Sequence, residues 1–148
     1  DYADLRDNVE RLVGRINGQH SVKQHVPVHY VYGGLPSAEL VSRYCAADVM
    51  MVTPLRDGMN LVAKEYVMTR IHRDGSLILS EFAGAALDLK QAILVNPFDV
   101  DGIAGAMEEA LGMDRAEQRK RMTSLRRVVR GHTVHDWADG FISKLNGA

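Results

Sequence analysis

Apolar residues along this chain follow two alternating patterns, short continuous runs and amphipathic stretches with helical spacing. The runs are rich in β-branched residues, which is typical of strands in a buried sheet. In the amphipathic stretches apolar residues recur every three or four positions, which predicts helices. The predicted strands are residues 26–32, 48–54, 76–80 and 92–97. The predicted helices are residues 2–17, which stop at Gly18, and 37–47, which Ser37 caps, then 60–71, 99–112, 114–130 and 133–146.

This alternation predicts an α/β domain in which a parallel sheet is flanked by helices and the crossovers are right-handed. The run at 48–54 is of the kind that is buried on both faces of such a sheet. The helices after residue 99 form a helical tail to the same domain. Four short strands are fewer than the five or six of an average sheet, so we expect the chain to be part of a longer protein.

Residues 55–65, LRDGMNLVAKE, place polar groups where a predicted strand ends and the next helix begins. In open parallel sheets, ligands bind at this edge. The helix start offers the unpaired N–H groups of Leu61 and Val62 and a partial positive charge, which together attract a phosphate. Gly58 allows either close approach of a ligand or a positive φ, and Asn60 can cap the helix or donate to the ligand.

Two carboxylates in this segment suit hydroxyl groups on either side of a diphosphate. Helical side chains lean toward the N-terminus, so Glu65 is expected to reach back toward the helix start and accept from a ribose diol. Asp57, at the strand end, is expected to accept from sugar hydroxyls. The loop therefore indicates a nucleotide-sugar site. The alternative, an Asp-Gly turn capped by Asn60 with Glu65 as a surface carboxylate, stays open, and Lys64 is expected to be solvated or ion-paired.

Composition narrows the classes of partner. The net charge of -1 provides no overall basic field for nucleic acid or an anionic membrane, and no apolar run approaches the ~20 residues needed to span a bilayer. The basic segment 114–130 has no interleaved aromatic residue and is predicted to be a solvated face.

The single cysteine, Cys45, indicates a reducing cytoplasmic setting and is predicted to be a buried small residue. The histidines, including the pair His132 and His135, do not have zinc-type spacing, so no metal is expected.

Three stretches of the sequence resemble the trehalose-6-phosphate synthase family. They are ADVMMVTPLRDGMNLVAKEYV at 47–67, LILSEFAGAA at 77–86 and AILVNPFD at 92–99, in the family's order and spacing. The likeness extends from VGRING at 13–18 to VHDWADGF at 134–141, which is nearly the whole chain. The resemblance implies that residues 1–148 are part of the C-terminal Rossmann-like, nucleotide-sugar-binding domain of a GT-B retaining glycosyltransferase.

The resemblance also implies an activity, glucosyl transfer from UDP-glucose to glucose 6-phosphate with retention, giving trehalose 6-phosphate and UDP without a metal or other cofactor. The implied partners are these two small molecules, with no nucleic acid and no membrane, and a homo-oligomer is left open. Asp57 would bind glucose hydroxyls as the catalytic carboxylate, Glu65 the ribose, and Leu35 would lie beside the uracil. The full set of implied UDP-glucose-binding residues is Leu35, Asp57, Gly58, Met59, Asn60, Leu61, Val62, Ala63, Lys64 and Glu65.

The sequence also departs from the family pattern. The basic pair that neutralises the departing diphosphate and the arginines that hold the acceptor phosphate are not found in this chain, so the chain alone is expected to be inactive. Two other functions therefore stay open, a related glucosyltransferase with glycerol 3-phosphate or a cyclitol phosphate as acceptor, and a non-catalytic nucleotide-sugar-binding fragment. The choice among UDP-, ADP- and GDP-glucose also stays open.

Overall fold

The computed structural model describes residues 2–131, 138, 142, 143 and 145. These residues form two compact units, Asp1–Leu35 and Pro36–Ala148. The helices are α1 (Tyr2–His20), α2 (Ser37–Ala46), α3 (Leu61–Thr69), α4 (Val100–Gly112) and α5 (Arg115–Gly131), and a short 3₁₀ turn spans Gly84–Leu87. The strands are β1 (Val49–Val52), β2 (Ser76–Ser80) and β3 (Ile93–Val95). The predicted helix 133–146 lies largely outside the described residues.

The first unit consists of α1 and an extended segment that is not a strand. The side chain of Asn17, on α1, accepts a hydrogen bond from the Val28 N–H and donates one to the Val28 carbonyl, both at 2.9 Å. A strand over 26–32 was therefore a wrong prediction, because a side chain takes the backbone groups that a neighbouring strand would pair. The prediction that α1 stops at Gly18 was also wrong, since the helix continues to His20.

The second unit contains a parallel three-stranded sheet in the order β1-β2-β3. Every residue of the central strand β2 is buried, as its apolar run predicts. The run at 48–54, however, is not buried on both faces, because Met51 of β1 is 45% exposed. The α/β fold with a parallel sheet flanked by helices is confirmed, and β2 has the predicted bounds, whereas β1 and β3 are shorter than the sequence indicates.

Alternating side chains of β2 face two separate apolar clusters. Leu77 and Leu79 pack in one cluster with Tyr66 of α3 and Leu125 of α5. Ile78 packs in the other cluster, with Ala106 and Ala110 of α4. Strand residues point to opposite faces in turn, so α3 and α5 cover one face of the sheet and α4 covers the other.

Two local predictions for helix α2 were wrong. Pro36, not Ser37, occupies the N-cap position, and its carbonyl accepts from the Leu40 N–H at 3.0 Å. Cys45 is exposed rather than buried, because its neighbour Tyr44, at 5% exposure, is the residue that faces the core. Successive helical residues are about 100° apart, so both cannot face the same side.

Candidate functional site

Residues 55–60, in the segment between β1 and α3, are held at the carboxyl end of the sheet by the segment that leaves β2. We call residues 55–60 the Asp57 loop. The Asp57 N–H donates to the Phe82 carbonyl at 3.3 Å, and the Asp57 carbonyl accepts from the Gly84 N–H at 2.8 Å. The next residue, Ala85, also donates its N–H to this loop, to the Met59 carbonyl at 2.7 Å. Backbone bonds thus fix the loop at the edge where parallel sheets bind ligands.

The Asp57 carboxylate organises its own loop. Oδ1 accepts from the Met59 N–H at 2.9 Å, and Oδ2 accepts from the Asn60 side chain at 3.0 Å. These two hydrogen bonds, with the Met59 bond the larger cause, lower the pKa of Asp57. Each carboxylate oxygen keeps a lone pair that can accept from a sugar hydroxyl, so the group is both fixed and available to a ligand.

Asn60 begins helix α3 and carries the strained backbone of the loop. Its Oδ1 accepts from the Ala63 N–H at 2.9 Å, which confirms that it caps the helix. Its φ is +74°, whereas Gly58 is not in the positive-φ region. Of the two roles predicted for Gly58, the positive φ is excluded, and close approach of a ligand stays a prediction. A side-chain carbon at Gly58 would meet nothing within 4 Å, so the space in front of this glycine is open to a ligand.

The first turn of α3 offers backbone groups rather than side chains. The N–H groups of Leu61 and Val62 are at positions that have no partner within a helix, and both side chains are exposed. The Ala63 N–H is already used by Asn60 and the Ala63 side chain is fully buried, so this residue has little to offer a ligand. Lys64 is partly buried.

Glu65 is positioned by Tyr44, a residue that no motif in the sequence marks as functional. The Tyr44 hydroxyl, from the buried side of α2, donates to Glu65 Oε2 at 3.2 Å. Burial, and then the bond to Glu65, raise the pKa of Tyr44 and keep it a donor. Leu40 and Tyr44 are four residues apart, a helical spacing that predicts that both face inward. This spacing does not indicate that Tyr44 contacts Glu65 on α3. The Glu65 carboxylate is exposed and retains Oε1 for a ligand.

Leu35 and the histidine pair are the remaining candidate residues. Leu35 belongs to the first unit, and its role beside a base stays a prediction. Among the described residues no cluster of His, Cys, Asp or Glu could hold a metal ion, and His132 and His135 lie outside them. In the same part of the chain no helix is long and apolar enough to cross a membrane.

The hydrogen bonds of Asp57 predict how the loop responds to acid. A carboxylate whose pKa is lowered in the fold stabilises it fully above the unfolded value of about 3.9 and loses that effect as pH falls through the lower, folded value. We expect the NMR shift of the Met59 amide to titrate with a midpoint below about 3.9. The Asp57→Asn variant should abolish that titration. A midpoint at or above the usual value would contradict this prediction.

Comparisons with known proteins identify relatives of this chain in sequence and in fold. Residues 1–147 match the sequence profile of glycosyltransferase family 20. The chain is 51% identical over 147 residues to the trehalose-6-phosphate synthase of Mycobacterium tuberculosis, covering 99% of this chain and 29% of that protein. It is 42% identical, with a TM-score of 0.91, to the UDP-forming α,α-trehalose-phosphate synthase of Burkholderia xenovorans in complex with glucose 6-phosphate, covering 98% of this chain and 32% of that one.

A trehalose-6-phosphate synthase studied with bisubstrate glycomimetics has a TM-score of 0.90 and 40% identity, over 99% of this chain and 34% of that one. The chain therefore spans about a third of the length of these relatives. The profile match extends over nearly every residue, including the Asp57 loop and α3. The chain belongs to glycosyltransferase family 20.

Proposed function

We propose that the protein to which this chain belongs transfers glucose from UDP-glucose to glucose 6-phosphate, with retention, and that this chain supplies the UDP-glucose site. The observation that carries the proposal is the Asp57 loop, bonded through its backbone to the segment after β2 and followed by a helix start and Glu65. The 51% identity to a trehalose-6-phosphate synthase supports the reaction, and the solved relative in complex with glucose 6-phosphate supports the acceptor.

In the proposed mechanism Asp57 is the catalytic residue that touches the donor sugar. Its carboxylate, held by Met59 and Asn60, accepts from glucose hydroxyls and fixes the ring before transfer. A preorganised acceptor of this kind spends no energy on reorientation during the reaction. Gly58 leaves room for the sugar to approach the backbone.

The start of α3 provides the charge that the leaving group needs. The N–H groups of Leu61 and Val62 and the positive end of the helix dipole stabilise the diphosphate as negative charge develops on it. Glu65, oriented by Tyr44, accepts from the ribose diol one turn away, where it does not face the phosphates. These steps use no metal or other cofactor, and the proposal includes a cytoplasmic setting because the sequence has one cysteine.

Titration calorimetry of the 148-residue chain with UDP-glucose tests the proposal. Glu65→Ala is expected to weaken binding by about tenfold or more, roughly 1.4 kcal/mol, because the ribose loses a charged acceptor. The matched control is Glu39→Ala, which removes an exposed carboxylate of α2 that pairs with Arg43 at 2.8 Å, and it should leave the affinity unchanged within about twofold. A parallel titration with ADP-glucose compares the bases.

Two outcomes would contradict the proposal. A folded chain that binds no UDP-glucose would remove the donor site from these residues. Equal affinity in the wild-type chain and Glu65→Ala would leave a site in place but take the ribose role from Glu65. Circular dichroism of each variant establishes that the chain is folded in either case.

A further inference from the structure

A second charged site lies at the end of α3 that is remote from the Asp57 loop. A surface cavity of about 400 Å³ opens between the residues that follow α3 and the C-terminal half of α5. The residues that line it are Ile71, Arg73, Thr123, Arg126, Arg127 and Arg130. Helix α3 has nine residues, so roughly 13 Å of helix separates this cavity from the Asp57 loop. A volume in this range suits a small molecule.

The four guanidinium groups of the cavity are not neutralised by carboxylates in the described part of the chain. By contrast, basic residues nearer the start of α5 do pair there, Arg115 with Asp74 and Arg121 with Glu109 and Glu117. The predicted solvated basic face thus divides into two parts. In the first part Arg115, Lys120 and Arg121 pair with acids of the described chain, and the second part, around the cavity, carries an excess of positive charge.

Arg126 is the fixed member of the group. It is only 8% exposed, and its Nη1 donates to the Val67 and Met68 carbonyls of α3 at 2.8 and 2.7 Å. Burial first, and then the charges of Arg130 and Arg73, lower the pKa of Arg126. Like charges therefore repel one another at this site in the ligand-free protein, and an anion between them would relieve that repulsion.

Arg73 occupies a backbone position that favours other residues. Its φ is +59°, in the left-handed region where Gly and Asn are preferred and an ordinary side chain is strained. Arginine at this position brings a charge to the cavity at a cost in backbone strain. The Thr123 hydroxyl, one turn before Arg126 and Arg127, adds a neutral donor to the same wall.

We propose that this cavity binds a small phosphate-bearing anion of the diphosphate class. Several planar guanidinium groups around one space suit bidentate contact with phosphate oxygens. A nucleic-acid strand is disfavoured because the lining has no aromatic side chain on which bases could stack. The site is separate from the proposed UDP-glucose site, with which it shares only helix α3.

Calorimetric titration of the 148-residue chain with inorganic pyrophosphate tests the proposal. Arg130→Gln should weaken binding by about tenfold or more, because one charge-assisted contact is lost. Arg119→Gln is the matched control, an exposed arginine of the same helix that does not line the cavity, and its effect should stay within about twofold. Arg73→Asn should also weaken binding while it raises thermal stability, since asparagine accepts the left-handed backbone.

The titration separates this site from the Asp57 loop. Adding saturating UDP-glucose should leave pyrophosphate binding at the cavity unchanged, whereas pyrophosphate held at the start of α3 would be displaced. If Arg130→Gln and Arg119→Gln weaken pyrophosphate binding equally, the effect depends only on net charge, and the proposal is overturned. Absence of pyrophosphate binding, or binding of a single-stranded DNA oligonucleotide by a chain that does not bind pyrophosphate, would also overturn it.

Discussion

Replacing Arg70 with alanine is expected to destabilise the second unit by about 3–5 kcal/mol. Arg70 is 5% exposed and follows α3. Its Nη1 donates to the Cys45 carbonyl at 2.6 Å and to the Tyr44 carbonyl at 3.2 Å, at the end of α2. Its Nη2 forms an ion pair with Asp74 at 3.0 Å, and its guanidinium lies 5.7 Å from the centre of the Tyr66 ring.

The large effect follows from what the substitution leaves behind. Alanine provides no donor in place of the guanidinium. The substitution therefore leaves the carbonyls at the end of α2 without their donor and Asp74 without its buried partner. A buried acceptor that loses its partner costs its full desolvation energy, whereas a hydrogen bond replaced on both sides costs little. A loss of this size is a large fraction of the roughly 5–15 kcal/mol that typically separates folded from unfolded domains.

Urea denaturation followed by circular dichroism measures the Arg70→Ala effect as a lower midpoint at constant slope. Arg43→Ala is the control, since Arg43 also pairs with a carboxylate at 2.8 Å but both side chains are about half exposed. An exposed helical pair of this kind contributes about 0.3–0.5 kcal/mol. If Arg70→Ala and Arg43→Ala lower the free energy of unfolding by similar amounts, the burial of Arg70 does not explain its contribution to stability.

The parts of the fold that were predictable from sequence are those that a local pattern determines. β2 has an apolar centre, Leu77, Ile78 and Leu79, and is buried at all five positions because each of its faces meets a helix layer. Segment 26–32 is rich in β-branched and aromatic residues, which favour a strand, but a strand also needs a neighbour, and neighbours are not encoded locally. In the structure Asn17 provides the hydrogen bonds instead, across eleven residues of chain.

The candidate site likewise contains residues whose local sequence makes them predictable and residues that depend on distant neighbours. Asp57, Asn60 and Glu65 stand out because their residue types and their place at a strand end and helix start indicate their roles. Tyr44 and Gly84 do not stand out, since each acts through a contact with a residue more than twenty positions away. Arg126 lies in the segment predicted to be a solvated face, and only the packing of α5 on α3 distinguishes it from the other basic residues there.

Gly84→Ala is expected to displace the Asp57 loop. A side-chain carbon at Gly84 would lie 2.1 Å from the Gly58 carbonyl oxygen and 2.7 Å from its carbon. Backbone atoms cannot move aside as a flexible side chain would, so the bonds from the Gly84 and Ala85 N–H groups to Asp57 and Met59 must lengthen or break. Overpacking of this kind typically costs about 1–3 kcal/mol, and the proposed UDP-glucose site should lose affinity by at least about tenfold as its loop shifts.

Gly58→Ala provides the matched control, because the two glycines face each other but only one is crowded. A methyl group at Gly58 meets nothing within 4 Å and its φ is not positive, so the substitution should leave stability unchanged within about 0.5 kcal/mol. Hydrogen exchange of the Gly84 and Ala85 amides measures the loop contact without any ligand, and it should accelerate only in Gly84→Ala. Protected amides in Gly84→Ala would mean that the two segments tolerate the methyl group. UDP-glucose binding should nevertheless weaken in Gly58→Ala at full stability, because the added methyl group enters the space proposed for the sugar and obstructs the ligand but not the fold.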